Sequence, residues 1–247
     1  MIDIERVLIN NQLAFHPLVE FDPRTEKLHP FNFTAYSDEL GEADIANTEK
    51  FSIYISNQLA ETGAKYGIGG YNENRVLYRR SNIFDTSPGK NGQAILEVPA
   101  APDTLARSVH LGIDIWGSAG TAVFAPLAGK VHSVAFNDQF GDYGATIILQ
   151  HQLDNTVFHT LYGHVSLGDI THLKKDTPIN KGDEIAHFGL PAENGWWPPH
   201  LHFQVIIEMD GREGDYPGVC APVERDHFLH NCPDPNLVLN LLQYVRL

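Results

Sequence analysis

Short runs of β-branched and aromatic residues, cut by glycine and proline, fill the middle of this chain and limit its fold more than any other feature. Thr121-Ala-Val-Phe-Ala125, Gly129-Lys-Val-His-Ser-Val-Ala-Phe136, Ala145-Thr-Ile-Ile-Leu-Gln-His151, Val157-Phe-His-Thr-Leu-Tyr162 and the stretch 201–207 each read as a strand. Ala125-Pro-Leu-Ala-Gly129 and the segment 138–144 separate them as turns, and Pro178 to Gly189 reads as two strands joined by a turn. Many short strands with glycine turns predict an antiparallel sheet folded over on itself, as a small sandwich or open barrel. The fold class is therefore mainly β with flanking helices.

Helical periodicity lies outside that block. Phe51, Tyr54, Ile55 and Leu59 recur on one face of a helix expected over about Asn47 to Thr62. Near the end, Asp234 as N-cap and Pro235 as first residue introduce a helix carrying Leu237, Val238, Leu241, Leu242 and Val245 on its apolar face. Gly67-Ile-Gly-Gly-Tyr71 lacks the Gly-Lys-Ser/Thr ending of a phosphate loop and is expected to form a turn. The 247 residues thus divide into an N-terminal extension over 1–106, a core over 107–215 and a C-terminal loop and helix over 216–247.

A formal charge of −14 argues against a nucleic-acid partner and against adhesion to anionic membranes. No apolar run is long enough to span a bilayer, so no membrane insertion is expected. The first residues show no basic stretch followed by an apolar core, which predicts no secretory signal and a cytoplasmic location. Cys220 and Cys232 are the only cysteines, and in that compartment they are expected to remain unpaired. The oligomeric state is not legible.

Two motifs carry chemistry. His110-Leu-Gly-Ile-Asp114 and His200-Leu-His202 together offer imidazoles and a carboxylate, the ligand types of hydrolytic zinc sites that keep one position open for water. His200 and His202, two apart on a strand, point to the same face. His110 and Asp114 are four apart, and Gly112 favours a strand entering a loop over a helix. With 13 histidines in the chain, spacing alone does not prove that the pairs meet.

These motifs belong to an ordered series. His110-Leu-Gly-Ile-Asp114 is followed by Gly120 to Val131, by Tyr143-Gly144 with His151, by Leu161-Tyr-Gly-His-Val165, by Lys181 to Gly189 and by Pro199-His-Leu-His-Phe-Gln204. The succession resembles the lysostaphin/LytM-type zinc metallopeptidases, hydrolases that cut peptide stems or cross-bridges of bacterial cell walls and usually act outside the cytoplasm. The resemblance covers roughly 107–207. It implies one Zn2+ per chain bound by His110, Asp114 and His202, with His164 and His200 as catalytic histidines that do not bind the metal. It implies a peptide or peptidoglycan-derived substrate cleaved by metal-activated water. His151 matches a further position of that family and is read as supporting the site or the core.

Some stretches depart from the pattern. Glu193-Asn-Gly-Trp-Trp-Pro-Pro199 replaces the usual small residues before the His-x-His pair, so Trp196 and Trp197 either line the substrate groove or pack against their loop. Gln204 stands where glutamate is common and is expected to matter little to the metal. In the extension, Tyr71 to Arg75 and Tyr78 to Arg80 read as packing residues, with restriction of groove access as the alternative. A noncatalytic zinc-binding or interaction module that keeps the fold is the competing function. Phrases such as Ala125 to Val131 also occur in biotinyl and lipoyl carriers, but the exposed carrier lysine in its usual setting is missing.

Overall fold

The computed structural model describes residues 4–85 and 105–245, so part of the expected extension, residues 86–104, lies outside the described residues. One eight-stranded, open sheet dominates it. Its strands are β1 (Leu28–Phe31), β2 (Tyr66–Gly69), β4 (Ile113–Trp116), β6 (Gly129–Asn137), β7 (Gly144–Leu153), β8 (Thr156–Val165), β9 (Pro178–Ile179) and β11 (His200–Ile206). They run in the order β1-β2-β4-β11-β8-β7-β6-β9, antiparallel throughout except for β1 beside β2. Two small ribbons accompany it: β5 (Ala122–Phe124) with β10 (Glu184–His187), and β3 (Val109–His110) with β12 (Val219–Cys220).

Alternation along the central strands sets up two different faces. One face turns Ile113, Ile115, Leu201, Phe203, Val205, Ile147, Leu149 and Tyr162 into the main apolar core. The other presents Asp114 and Trp116 from β4 and His200, His202 and Gln204 from β11. Two smaller cores flank this second face. Phe33, Phe51, Trp116 and Trp197 belong to one, and Leu111, Ile148, Leu161, Cys220 and Cys232 to the other.

The extension adds strands to the same sheet. β2 pairs with β4, and β1 extends the sheet beyond it. Gly67 and Gly69 therefore lie in a strand, and the expected turn begins only at Tyr71. Glycine is required at 67 because a Cβ there would come within 2.2 Å of the Phe31 ring. Of the helices, α1 (Ile4–Asn11) buries Ile4, Val7 and Leu8, and α2 (Glu42–Ala46) precedes the expected helix. The latter is α3 (Thr48–Thr62), whose Asn47 side chain accepts from the Lys50 amide and whose end is closed by Gly63 at φ 64°. A single-turn helix, α4 (Leu167–Ile170), follows β8, and α5 (Arg225–Asn231) follows β12.

The C-terminal helix is shorter than the sequence suggests. Asp234 does accept from the Asn236 amide at 2.8 Å, but α6 spans only Asn236–Leu239. Asn240 adopts φ 51°, and the Asn236 side chain accepts the amides of Leu241 and Leu242, which stops the helix; a 3-10 turn, Leu242–Tyr244, follows. Both cysteines are free and buried. No helix among the described residues is long and apolar enough to cross a membrane.

Candidate metal centre

Strand register brings the two motifs together. His202 lies directly opposite Asp114 across the β4–β11 pair, and His110 enters from β3, which ends at the loop leading into β4. Gly112 makes this approach possible, because a Cβ there would lie 2.5 Å from the His202 ring. His110 Nε2 is 3.2 Å from Asp114 Oδ1, His202 Nδ1 is 3.2 Å from the same oxygen, and the two nitrogens are 2.9 Å apart. All three side chains are buried.

The outward nitrogens decide what this cluster can hold. His110 Nδ1 donates to the Gly70 carbonyl at 2.8 Å, and His202 Nε2 donates to Gln204 Oε1 at 3.0 Å. Gln204 is itself oriented, since its amide donates to the Pro217 carbonyl at 3.1 Å. With those protons committed outward, two imidazole lone pairs and a carboxylate oxygen face one another, and neutral rings leave no proton between them. Such a donor set is repulsive by itself and fits a borderline cation such as zinc, whose ligating histidines donate their other N–H to a carbonyl or carboxyl oxygen. Gln204 thus touches a member of the cluster, a contact that the sequence does not announce.

Electrostatics point the same way. Burial, reinforced by the Arg75 guanidinium, lowers His110 to about 4, which keeps the ring neutral at pH 7. Burial opposes ionisation of Asp114, but His110 and Arg75 outweigh it and hold the carboxyl well below the usual range.

Residues 108–214 match peptidase family M23. That segment, a little under half of the chain, is similar to the M23 metallopeptidases. An uncharacterized metalloprotease of Haemophilus influenzae is 34% identical over 98 residues, which are 40% of this chain and 18% of that protein. The match thus spans less than a fifth of that relative. Among solved structures, a zinc-containing peptidase from Vibrio cholerae is 26% identical with a TM-score of 0.33, covering 49% of this chain and 35% of that one. The catalytic domain of the antimicrobial peptidase lysostaphin from Staphylococcus simulans is 19% identical with a TM-score of 0.37, covering 70% and 94%. LytU is 26% identical with a TM-score of 0.34, covering 53% and 80%.

Beside the cluster, the same segment stacks two further histidines. His164 lies on His200 with ring centroids 4.1 Å apart, and His200 lies on Trp116 at 4.0 Å. Each donates Nδ1–H to a carbonyl, His164 to Asn194 and His200 to Pro198, both at 2.8 Å. Burial, with the neighbouring His200, keeps His164 well below the ordinary histidine range, and burial lowers His200 to about 4. Both therefore keep a neutral Nε2 lone pair. Strict alternation along β8 would send His164 to the main core with Tyr162. A shift in the β7–β8 register and φ 65° at His164 turn it to the site face instead.

A cavity of about 360 Å³ opens beside these residues, lined by His164, His200, His202, Asp114, Tyr143 and Trp197 among others. The extension supplies part of its wall through Leu77, Tyr78, Ile83 and Phe84. The two tryptophans separate in position: Trp197 is 3% exposed and packs edge-on near His164 and His200, whereas Trp196 is 46% exposed. His151 touches none of the cluster. Its Nδ1 donates to the Ala128 carbonyl at 3.0 Å, and Nε2 meets the Thr160 hydroxyl at 2.7 Å. Sequence reasoning gave no site role to Tyr143, which stood only as a block of the motif series, read Arg75 as a packing or groove-restricting residue, and overlooked Asn194.

Proposed function

We propose that this chain is a zinc-dependent endopeptidase whose substrate is a cell-wall-type peptide. The convergence of His110 Nε2, Asp114 Oδ1 and His202 Nδ1, with the remaining ring protons committed to carbonyl oxygens, carries the reading. These three residues would hold the metal. When bound, zinc would supply Lewis acidity and lower the pKa of water to about 7. The family match supports peptide hydrolysis, and the cell-wall substrate rests on the resemblance of the motif series.

His164 and His200 do the proton work in this reading. Each presents an unprotonated Nε2 that makes no hydrogen bond among the described residues, while its Nδ1 is fixed on a carbonyl. One ring takes the proton of the attacking water at Nε2 and delivers it to the departing amine. While it carries that proton, its Nε2–H stabilises the developing oxyanion, and the other ring, still neutral, accepts from the attacking water at Nε2 and orients it. Stacking against Trp116 and a committed Nδ1–H hold His200 in one orientation, and the Asn194 carbonyl does the same for His164. The cavity lies within the size range of small-ligand sites and accommodates a short length of extended peptide.

Metal analysis of wild type beside His202→Ala tests the reading. About one zinc per wild-type chain, lost in the variant, is expected for a site with three protein ligands. A wild type that takes up no zinc when it is offered at neutral pH would sink the proposal. Zinc binding with no cleavage across a panel of cell-wall peptides would favour the noncatalytic module.

A further inference from the structure

We infer that Arg75, which lies outside the family-matched segment, is a positioning residue for the metal ligand Asp114. The inference rests on the proposed zinc site. The Arg75 side chain is 0% exposed and its guanidinium is fully engaged. Nη1 donates to Asp114 Oδ2 at 2.6 Å, Nη2 to the Gly70 carbonyl at 2.9 Å and Nε to Glu73 Oε2 at 3.0 Å. The same Gly70 carbonyl accepts His110 Nδ1–H. One guanidinium thus fixes the outer oxygen of one ligand and the carbonyl that orients another.

Two consequences follow for the carboxylate. With Oδ2 occupied by a charge-assisted hydrogen bond, Asp114 offers only Oδ1 toward His110 and His202, and it is held to one-oxygen ligation. The buried cation also draws electron density from the carboxylate, which makes it a weaker donor and leaves a bound metal more electrophilic. Lysine cannot reproduce this, because an ammonium lacks the planar fork that reaches three acceptors at once. β2 is shaped for the purpose: a Cβ at Gly69 would lie 2.7 Å from Arg75 Nη2. The extension therefore completes the metal centre through Arg75 as well as forming part of the cavity wall.

The test compares wild type, Arg75→Met and Arg75→Lys as full-length chains loaded with Co2+, alongside zinc affinity measured against a chromophoric chelator. Four-coordinate Co2+ absorbs visible light much more strongly than five- or six-coordinate Co2+. Freed from Arg75, Asp114 can ligate through both oxygens, so Arg75→Met should show a several-fold weaker, shifted band. Loss of the orienting contacts to Asp114 and to the Gly70 carbonyl should outweigh the stronger donation of a freed carboxylate, so zinc affinity should fall about 10- to 100-fold. Arg75→Lys should lie between the two and keeps a buried positive charge, so it carries the test if the methionine variant does not fold. Wild-type band shape and zinc affinity within about twofold in a folded variant would overturn the inference while leaving the zinc reading intact. Failure of wild type to bind either metal would overturn both.

Discussion

His151 and His202 are both buried on the same sheet, yet their second ring nitrogens end differently. His151 spends both nitrogens on protein partners, the Ala128 carbonyl and the Thr160 hydroxyl. His202 spends one on Gln204 and turns the other toward His110 and Asp114, where nothing supplies a proton. A histidine satisfied on both sides is a structural member, and its removal costs stability. A histidine satisfied on one side only, facing other lone pairs, has a nitrogen free to donate to a cation. Burial alone does not separate the two classes, whereas the hydrogen-bond accounting of each nitrogen does.

Paired substitutions should break this comparison most sharply. His164→Ala removes a ring whose Nε2 is unspent, so zinc content should stay near wild type while peptide cleavage falls about 10²- to 10⁴-fold. His151→Ala should keep both zinc content and cleavage of the folded protein near wild type, while unfolding free energy in urea drops by about 3 kcal/mol through a cavity and two abandoned partners. Cleavage unchanged in His164→Ala would remove that residue from the mechanism. Loss of zinc from folded His151→Ala would erase the distinction between the two groups.

Acid should sharpen it next. Burial lowers His151 to about 4, against an ordinary value near 6.5 for an unfolded chain. The unfolded state therefore binds the proton first as pH falls. His151 contributes its stability above pH 6.5 and loses it progressively between about 6.5 and 4, an effect of up to about 3 kcal/mol. His110 and His200 behave alike in the metal-free protein, each lowered to about 4. Asp142 opposes them, since burial raises it to about 6 and its protonation favours the folded state below that pH. Urea unfolding of metal-free protein at pH 7 and pH 4.5 should show a net loss of stability, and the loss should shrink in His151→Ala. Equal stability at both pH values would contradict the assignment of these rings as neutral.

What was legible in the sequence follows the range of the interactions involved. The strands β6, β7, β8 and β11 were readable because alternation and glycine turns are local, and the His-x-His geometry follows from a period of two. Asn47 and Gly63 bound α3 by local capping as well. Tyr66–Gly69 was not readable as a strand, because its glycines answer to Phe31 and Arg75, residues distant in the chain. His164 shows the same limit: only a register shift with β7 turns it away from the core. Arg75 reaches Asp114 across 39 positions, and no pattern within either segment announces the pair. The C-terminal helix failed for a local reason, since Asn236 competes for the amides of Leu241 and Leu242.

Gln204 sets the finest test, because it separates a requirement for an acceptor from a requirement for charge. Its Oε1 accepts His202 Nε2–H and so keeps the lone pair on Nδ1, facing Asp114. Gln204→Leu keeps most of the volume but removes the acceptor, which frees the proton to move to Nδ1 and compete with the metal. Zinc affinity should fall about 10- to 100-fold. Gln204→Glu keeps an acceptor at that position, so it should retain affinity close to wild type or exceed it, a carboxylate making the imidazole a stronger donor. Chelator competition on the three proteins decides the point. If leucine binds zinc as tightly as glutamine, the His202 tautomer is set by the metal alone, and the contrast with His151 rests on the three ligands without their outer partners.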